Sequence, residues 1–247
     1  MQTERLPALA GTVRELLDVV DHANREALPR AADLVLECLR RDGLVHVAAS
    51  GHSLAMVCEA FYRAGGLAAV RPLWWPEMFP LSDAQRSTVA ERTPGLAQQA
   101  VDEAAPQPSD VTVVFSTTGR NPYPVEVAAA CKARGVPVVA VTSPHAARAA
   151  EARHPSTLVE HADVVLDSAV PPGDAAYPDD EPRTSAVSTI TAAYVWSMLL
   201  AELDDRASQQ GFDLPRWRSA NVPGGDAANA DLFARYGPRI QELGVDR

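Results

Sequence analysis

Three short segments of this 247-residue chain combine hydroxyls with residues that favour tight turns. They are Ser50-Gly51-His52-Ser53, Ser116-Thr117-Thr118-Gly119-Arg120-Asn121 and Thr142-Ser143. Hydroxyls donate to an oxyanion, glycine lets the backbone approach it, and the first amides of a following helix lack intrahelical partners. Taken singly, each segment has an ordinary explanation, since Ser and Thr cap helices and Gly serves turns. Three of them at the ends of successive strands point to one anion site. Within the second segment, Arg120 is either a bidentate clamp for phosphate or a solvated loop residue.

Proton transfer needs other residue types. Glu59 is the sole charge between Leu54 and Tyr62, where partial desolvation would suit a catalytic carboxylate. Its alternative role is an ion pair with Arg63, four residues on. His154, in Arg153-His154-Pro155-Ser156, lies in a loop, where positioned functional residues are common, and carries an imidazole, a side chain suited to acid–base work. Glu59 and His154 are therefore the predicted catalytic pair. His52 can touch a ligand hydroxyl or donate to a carbonyl, and Glu126 suits the start of a helix. His22, His46, His145 and His161 show no ligand spacing, so neither a metal nor another cofactor is predicted.

The elements that must position these groups follow from hydrophobic period. Val13, Leu16, Leu17 and Val20, then Ala31, Leu34, Val35 and Cys38, recur at helical spacing. They predict an N-terminal helical hairpin ending at Gly43. Short apolar runs at 44–49, 68–73, 111–116, 136–143 and 162–168 read as buried parallel strands. Helical patterns separate them: SLAMVCEAFYRAGG, the stretch opened by Pro122 and Pro124 and closed by Gly135, and a long helix over 186–210. Residues 74–108 form a Pro-punctuated excursion with a short helix near 94–104, and a polar, Gly-rich tail starts at Ser219. The fold class is therefore α/β: a three-layer, doubly wound arrangement around a mainly parallel five-stranded sheet. It is read as one domain, with a helical region at 1–43, an α/β core at 44–210 and a tail at 211–247. Ligands of such sheets bind at the carboxyl ends of the strands, near a topological switch point.

Bulk properties narrow the partners. A net charge of −10 argues against nucleic acid, which needs clustered Lys and Arg. It does not argue against a small phosphate held by amides and hydroxyls. Cys38, Cys58 and Cys131 are odd in number and far apart, so reduced thiols in the cytoplasm are expected. The N-terminal segment lacks the apolar core of a secretory signal. Ala186–Leu203 carries no charge until Glu202, yet contains Ser188, Thr189, Thr191 and Ser197. It is expected to be a core or interface helix, with no membrane span.

SGHS at 50–53, STTGRNP at 116–122 and VTS at 141–143 together resemble the sugar isomerase (SIS) family. The resemblance extends over about residues 5–240 and is closer to standalone, phosphoheptose-isomerase-like members. These share GHS…FYRAGGL at 51–67, RHPS at 153–156 and SANV-GGD with a later Asn at 219–229. It implies a flavodoxin-like SIS fold and a phosphosugar ligand. Ser53, Ser116, Thr118 and Asn121 would contact the phosphate, and Gly51 and Gly119 would admit the backbone. Thr117 stands where relatives have a small polar residue. The helical glutamate of phosphoheptose isomerases falls nearer Arg63 than Glu59, and their late helical histidine has no counterpart. The implied function is an aldose–ketose phosphosugar isomerase. The alternatives are a non-catalytic phosphosugar-binding regulator and a phosphosugar lyase or etherase. The apolar helix faces predict a homodimer or homotetramer, and the 219–229 tail either covers a partner's pocket or caps a last helix.

Overall fold

The computed structural model describes residues 5–244. Two helices open it, α1 (Arg5–Asn24) and α2 (Ala27–Arg40). Then follow β1 (Val45–Ala48), α3 (Leu54–Ala60), β2 (Val70–Leu73), α4 (Ala84–Glu91), α5 (Leu96–Ala104), β3 (Val111–Phe115) and α6 (Pro122–Ala133). The second half holds β4 (Val138–Thr142), α7 (Pro144–Ala149), α8 (Leu158–His161), β5 (Val164–Asp167), β6 (Ala175–Tyr177), β7 (Thr184–Ala186), α9 (Ser188–Gln209) and α10 (Gly225–Tyr236).

The five predicted strands form one sheet in the order β2-β1-β3-β4-β5, and every neighbouring pair is parallel. Every residue of β1 to β4 is buried, which is why these strands read as continuous apolar runs. β5, an edge, alternates between buried and half-buried residues. Helices α1, α2, α3 and α9 lie on one face of the sheet, and α5, α6 and α8 on the other. This is the expected three-layer, doubly wound fold with a helical N-terminus.

Helix α9 packs against α2. It buries Thr191, Val195, Trp196, Leu199 and Leu203, each large apolar side chain stabilising by about 1.5–3 kcal/mol. No helix among the described residues is long and apolar enough to cross a membrane. The N-terminal hairpin is also tied to the sheet by one polar side chain. Asn24, fully buried, accepts the Asp167 amide at 2.8 Å and donates to the Asp167 carbonyl at 2.8 Å. It thereby supplies a strand-like partner to the open edge of β5.

Two elements differ from the sequence reading, and the tail holds the last helix that it offered as one alternative. The 74–108 excursion holds two helices, and α4 lacks a clear apolar stripe in AQRSTVAE. Residues 175–186 form an antiparallel hairpin, β6–β7, whose Pro- and Asp-rich turn hides its short strands. The tail contains α10, preceded by Gly224 at φ 78°. Asn229 clasps the backbone of Arg218 in both directions at 2.9 Å, so the tail folds back on its own chain.

Candidate functional site

The strand order reverses between β1 and β3, which lie side by side in register from Val45↔Val111 to Ala48↔Val114. Their carboxyl ends carry the two hydroxyl loops, so both emerge at the switch point. A hole of about 20 Å³ lies there, lined by Ser53, Thr117, Ser168, Ser188 and Thr189 over an apolar floor that includes Met56 and Phe115. Such a volume suits about one water. Thr117 also faces an open cleft of about 250 Å³, bordered by Thr118, Ala146, Ala149, Pro171 and Asp174. Two further cavities, about 390 and 270 Å³, flank the β2 edge and contain none of the loop hydroxyls.

The loop after β3 is built to present amides. Gly119 takes φ +59°, and its amide donates to Ser116 Oγ at 3.1 Å. The amides of Thr117, Thr118, Arg120 and Asn121 donate to no protein group among the described residues. Helix α6 adds little, because Pro122 and Pro124 in its first turn have no N–H. The amides available to an anion are therefore those of the loop more than those of the helix. Asn121 is the N-cap residue of α6 without a capping bond; its Oδ1 accepts from Arg153 Nη1 at 3.2 Å.

The predicted site residues separate into two groups. Ser53, Ser116, Thr117, Thr118 and Asn121 are half-buried, and neither Ser53 nor Thr118 has a side-chain hydrogen-bond partner among the described residues. His52 is exposed beside them. Thr142 and Ser143, by contrast, are fully buried. Thr142 Oγ1 donates to the Thr117 carbonyl at 3.3 Å, and the Ser143 amide donates to it at 2.9 Å. Ser143 Oγ donates to Val170 O at 2.7 Å and accepts the Ala146 amide, capping α7. These two shape the second loop from behind. Arg120 turns away as well, its Nε donating to Ala147 O at 3.1 Å.

Among the proton-transfer candidates, Glu59 pairs with Arg63 at 3.0 Å, the alternative its spacing offered. His154 sits in a loop fastened to the second hydroxyl loop twice: by Arg153 to Asn121, and by the Leu158 amide to Gly119 O at 3.0 Å. Its Nδ1 lies 3.2 Å from the Ser156 amide and 3.3 Å from the Ser156 carbonyl. Ser156 Oγ also lies 2.8 Å from His161 Nε2. Glu126 accepts the Gly95 amide at 2.8 Å and tethers α6 to the excursion.

The sequence reading missed three groups. Ser188 and Thr189 reach the hole from the start of α9; their hydroxyls were visible, but not that α9 begins at the sheet edge. Asp174 already occupies that helix start, accepting the amides of Val187 and Ser188 at 3.0 and 2.7 Å. The second is Asp167, the last residue of β5. Burial pushes its carboxyl above the ordinary range, against the opposing hydrogen bond from the Ala169 amide. The third is Glu91, whose carboxylate accepts Ser50 Oγ–H at 3.1 Å across 41 residues of sequence.

The sequence model of the SIS domain matches residues 10–143, which include both hydroxyl loops. The chain is 33% identical over 235 residues to a UPF0309 protein of Geobacillus kaustophilus, covering 94% of each. It is 34% identical over 225 residues to a UPF0309 protein of Halalkalibacterium halodurans, covering 90% of this chain and 93% of the relative. In fold it is similar to the phosphoheptose isomerase of Neisseria gonorrhoeae, with TM-score 0.56 and 21% identity over 83% of this chain and 100% of that one. The phosphoheptose isomerase of Francisella tularensis gives TM-score 0.54 and 16% identity over 83% of this chain and 99% of that one.

Proposed function

We propose, because this chain belongs to the SIS domain family, that it binds a phosphosugar at the β1/β3 switch point and interconverts its aldose and ketose forms. One observation carries this reading. Ser53 of the first loop and Thr117 of the second line the same hole, beside loop amides that have no protein acceptor among the described residues. Amide dipoles and hydroxyls converging from two loops suit a phosphate dianion without any net positive charge. The ester would sit against Ser53, Ser116, Thr118 and the 117–121 backbone, with the sugar in the cleft next to Thr117 and Asp174. Ser50, Gly51 and His52 would frame the other wall. That the solved structures similar in fold include phosphoheptose isomerases supports the choice of substrate class.

Aldose–ketose interconversion moves one proton between adjacent carbons and another between their oxygens. His154, on a loop fastened to the second hydroxyl loop, suits the oxygen-side transfer. Incubation with sugar 6- and 7-phosphates in deuterated water tests the reading. Isomerisation places deuterium on the carbon beside the carbonyl and raises the partner sugar. Clear binding with unlabelled, unchanged sugar would instead identify a phosphosugar-binding module. Elimination products would identify a lyase.

A further inference from the structure

Glu91 is the last residue of α4, brought back to the sheet edge by the 74–108 excursion. Its Oε2 accepts Ser50 Oγ–H at 3.1 Å. The same oxygen lies 3.0 Å from where a Cβ on Gly51 would stand. The carboxylate therefore rests directly on the first hydroxyl loop, half-buried at the switch point.

The other carboxylates around the strand ends already have strong partners. Glu59 pairs with Arg63, Glu126 holds the Gly95 amide, Asp174 holds two amides of α9, and Asp167 holds the Ala169 amide. Glu91 accepts only a neutral hydroxyl, and no basic side chain pairs with it among the described residues. A carboxylate in that state keeps lone pairs free for a ligand. A hydroxyl donor orients it without neutralising it, as a general base requires.

We infer that Glu91 is the catalytic base of the phosphosugar reaction proposed above, on which this inference rests. Glu91 takes the proton from the carbon beside the substrate carbonyl. The electron pair of that C–H bond forms the enediol double bond while the carbonyl oxygen gains a proton from His154. Glu91 then returns its proton to the former carbonyl carbon, and the neighbouring hydroxyl gives its proton back to His154. No atom or electron is gained or lost overall. Gly51 fits this assignment, since a side chain there would press on the carboxylate.

The test measures deuterium entry from deuterated water into fructose 6-phosphate and sedoheptulose 7-phosphate, with binding of each sugar followed by calorimetry. Glu91→Gln should bind within about threefold of the wild type while exchange falls about 10²–10⁴-fold. Glu91→Asp, which keeps the charge, should retain partial exchange and covers the case of a poorly folded amide variant. Glu126→Gln should exchange like the wild type. Exchange surviving in Glu91→Gln overturns the assignment alone, and its loss in Glu59→Gln in that event moves the role to Glu59. A wild type that binds the sugars without exchange also overturns it. A wild type that binds neither sugar overturns the phosphosugar reading and this inference with it.

Discussion

The carbonyl of Gly119 accepts the amide of Leu158 at 3.0 Å, and a Cβ built on Gly119 would stand 2.7 Å from Leu158 Cβ. The second hydroxyl loop and the segment that follows His154 thus meet where no side chain fits. Gly119→Ala should therefore both strain a backbone at φ +59° and push the loops apart. Strain alone costs about 1–3 kcal/mol, and phosphosugar affinity should fall with it. Gly51→Ala, at φ +56° and facing the movable end of Glu91, should cost less, about 1–2 kcal/mol. Thermal unfolding of both variants checks the order; a smaller loss for Gly119→Ala would contradict the docking described.

Ser53 and Ser143 should separate binding from stability. Ser143→Ala removes a buried hydroxyl with two partners and should destabilise by about 1–3 kcal/mol with little change in sugar affinity. Ser53→Ala removes a hydroxyl without a protein partner among the described residues. It should leave the melting temperature unchanged while weakening phosphosugar binding by about 1.5–3 kcal/mol, the range for a hydrogen bond to a charged group. Calorimetry and thermal melts on the two variants give four numbers; equal effects on binding would contradict the separation.

This pair also shows how far the sequence reaches. Both serines follow a strand and precede a helix, so composition and spacing treat them alike. The difference arises because Val170, 27 residues away, closes over Ser143. Strands β1 to β4 were legible because burial on both faces makes each an apolar run, and the strand ends located the loops. What was hidden depends on contacts distant in sequence. Asn24 meets Asp167 across 143 residues and Glu91 meets Ser50 across 41, and no local pattern encodes either. Glu59 had both its roles written locally, and tertiary packing left the Arg63 pair in place.

Asp110 predicts an acid limit to stability. It is buried, and burial alone would raise its pKa. The His46 hydrogen bond at 3.0 Å, with the amides of Gln107 and Leu44, outweighs burial and holds the carboxyl below its ordinary value. A depressed folded value means that the carboxylate contributes fully above the ordinary Asp range. That contribution is lost as pH falls through the folded value. Asp110→Ala should destabilise by about 1–3 kcal/mol near neutral pH, the cost of leaving buried hydrogen-bond partners unsatisfied, with the gap to wild type narrowing in acid. Denaturant titrations from neutral pH downward check it; a gap that widens in acid would reverse the sign.

Asn24→Ala should uncover the β5 edge. It removes one donor to the Asp167 carbonyl and one acceptor from its amide, together costing about 1–3 kcal/mol. Hydrogen exchange should then rise at the Asp167 amide while β3 amides stay protected. Unchanged exchange at Asp167 would show that the clasp contributes nothing.

The most direct measurement is a crystal structure of the chain with a sugar 6- or 7-phosphate bound. The ester oxygens should lie within hydrogen-bond reach of Ser53 Oγ and of the 117–121 amides, with the sugar extending into the cleft beside Thr117. A phosphate found in the cavities along the β2 edge, with the two hydroxyl loops unoccupied, would contradict the account.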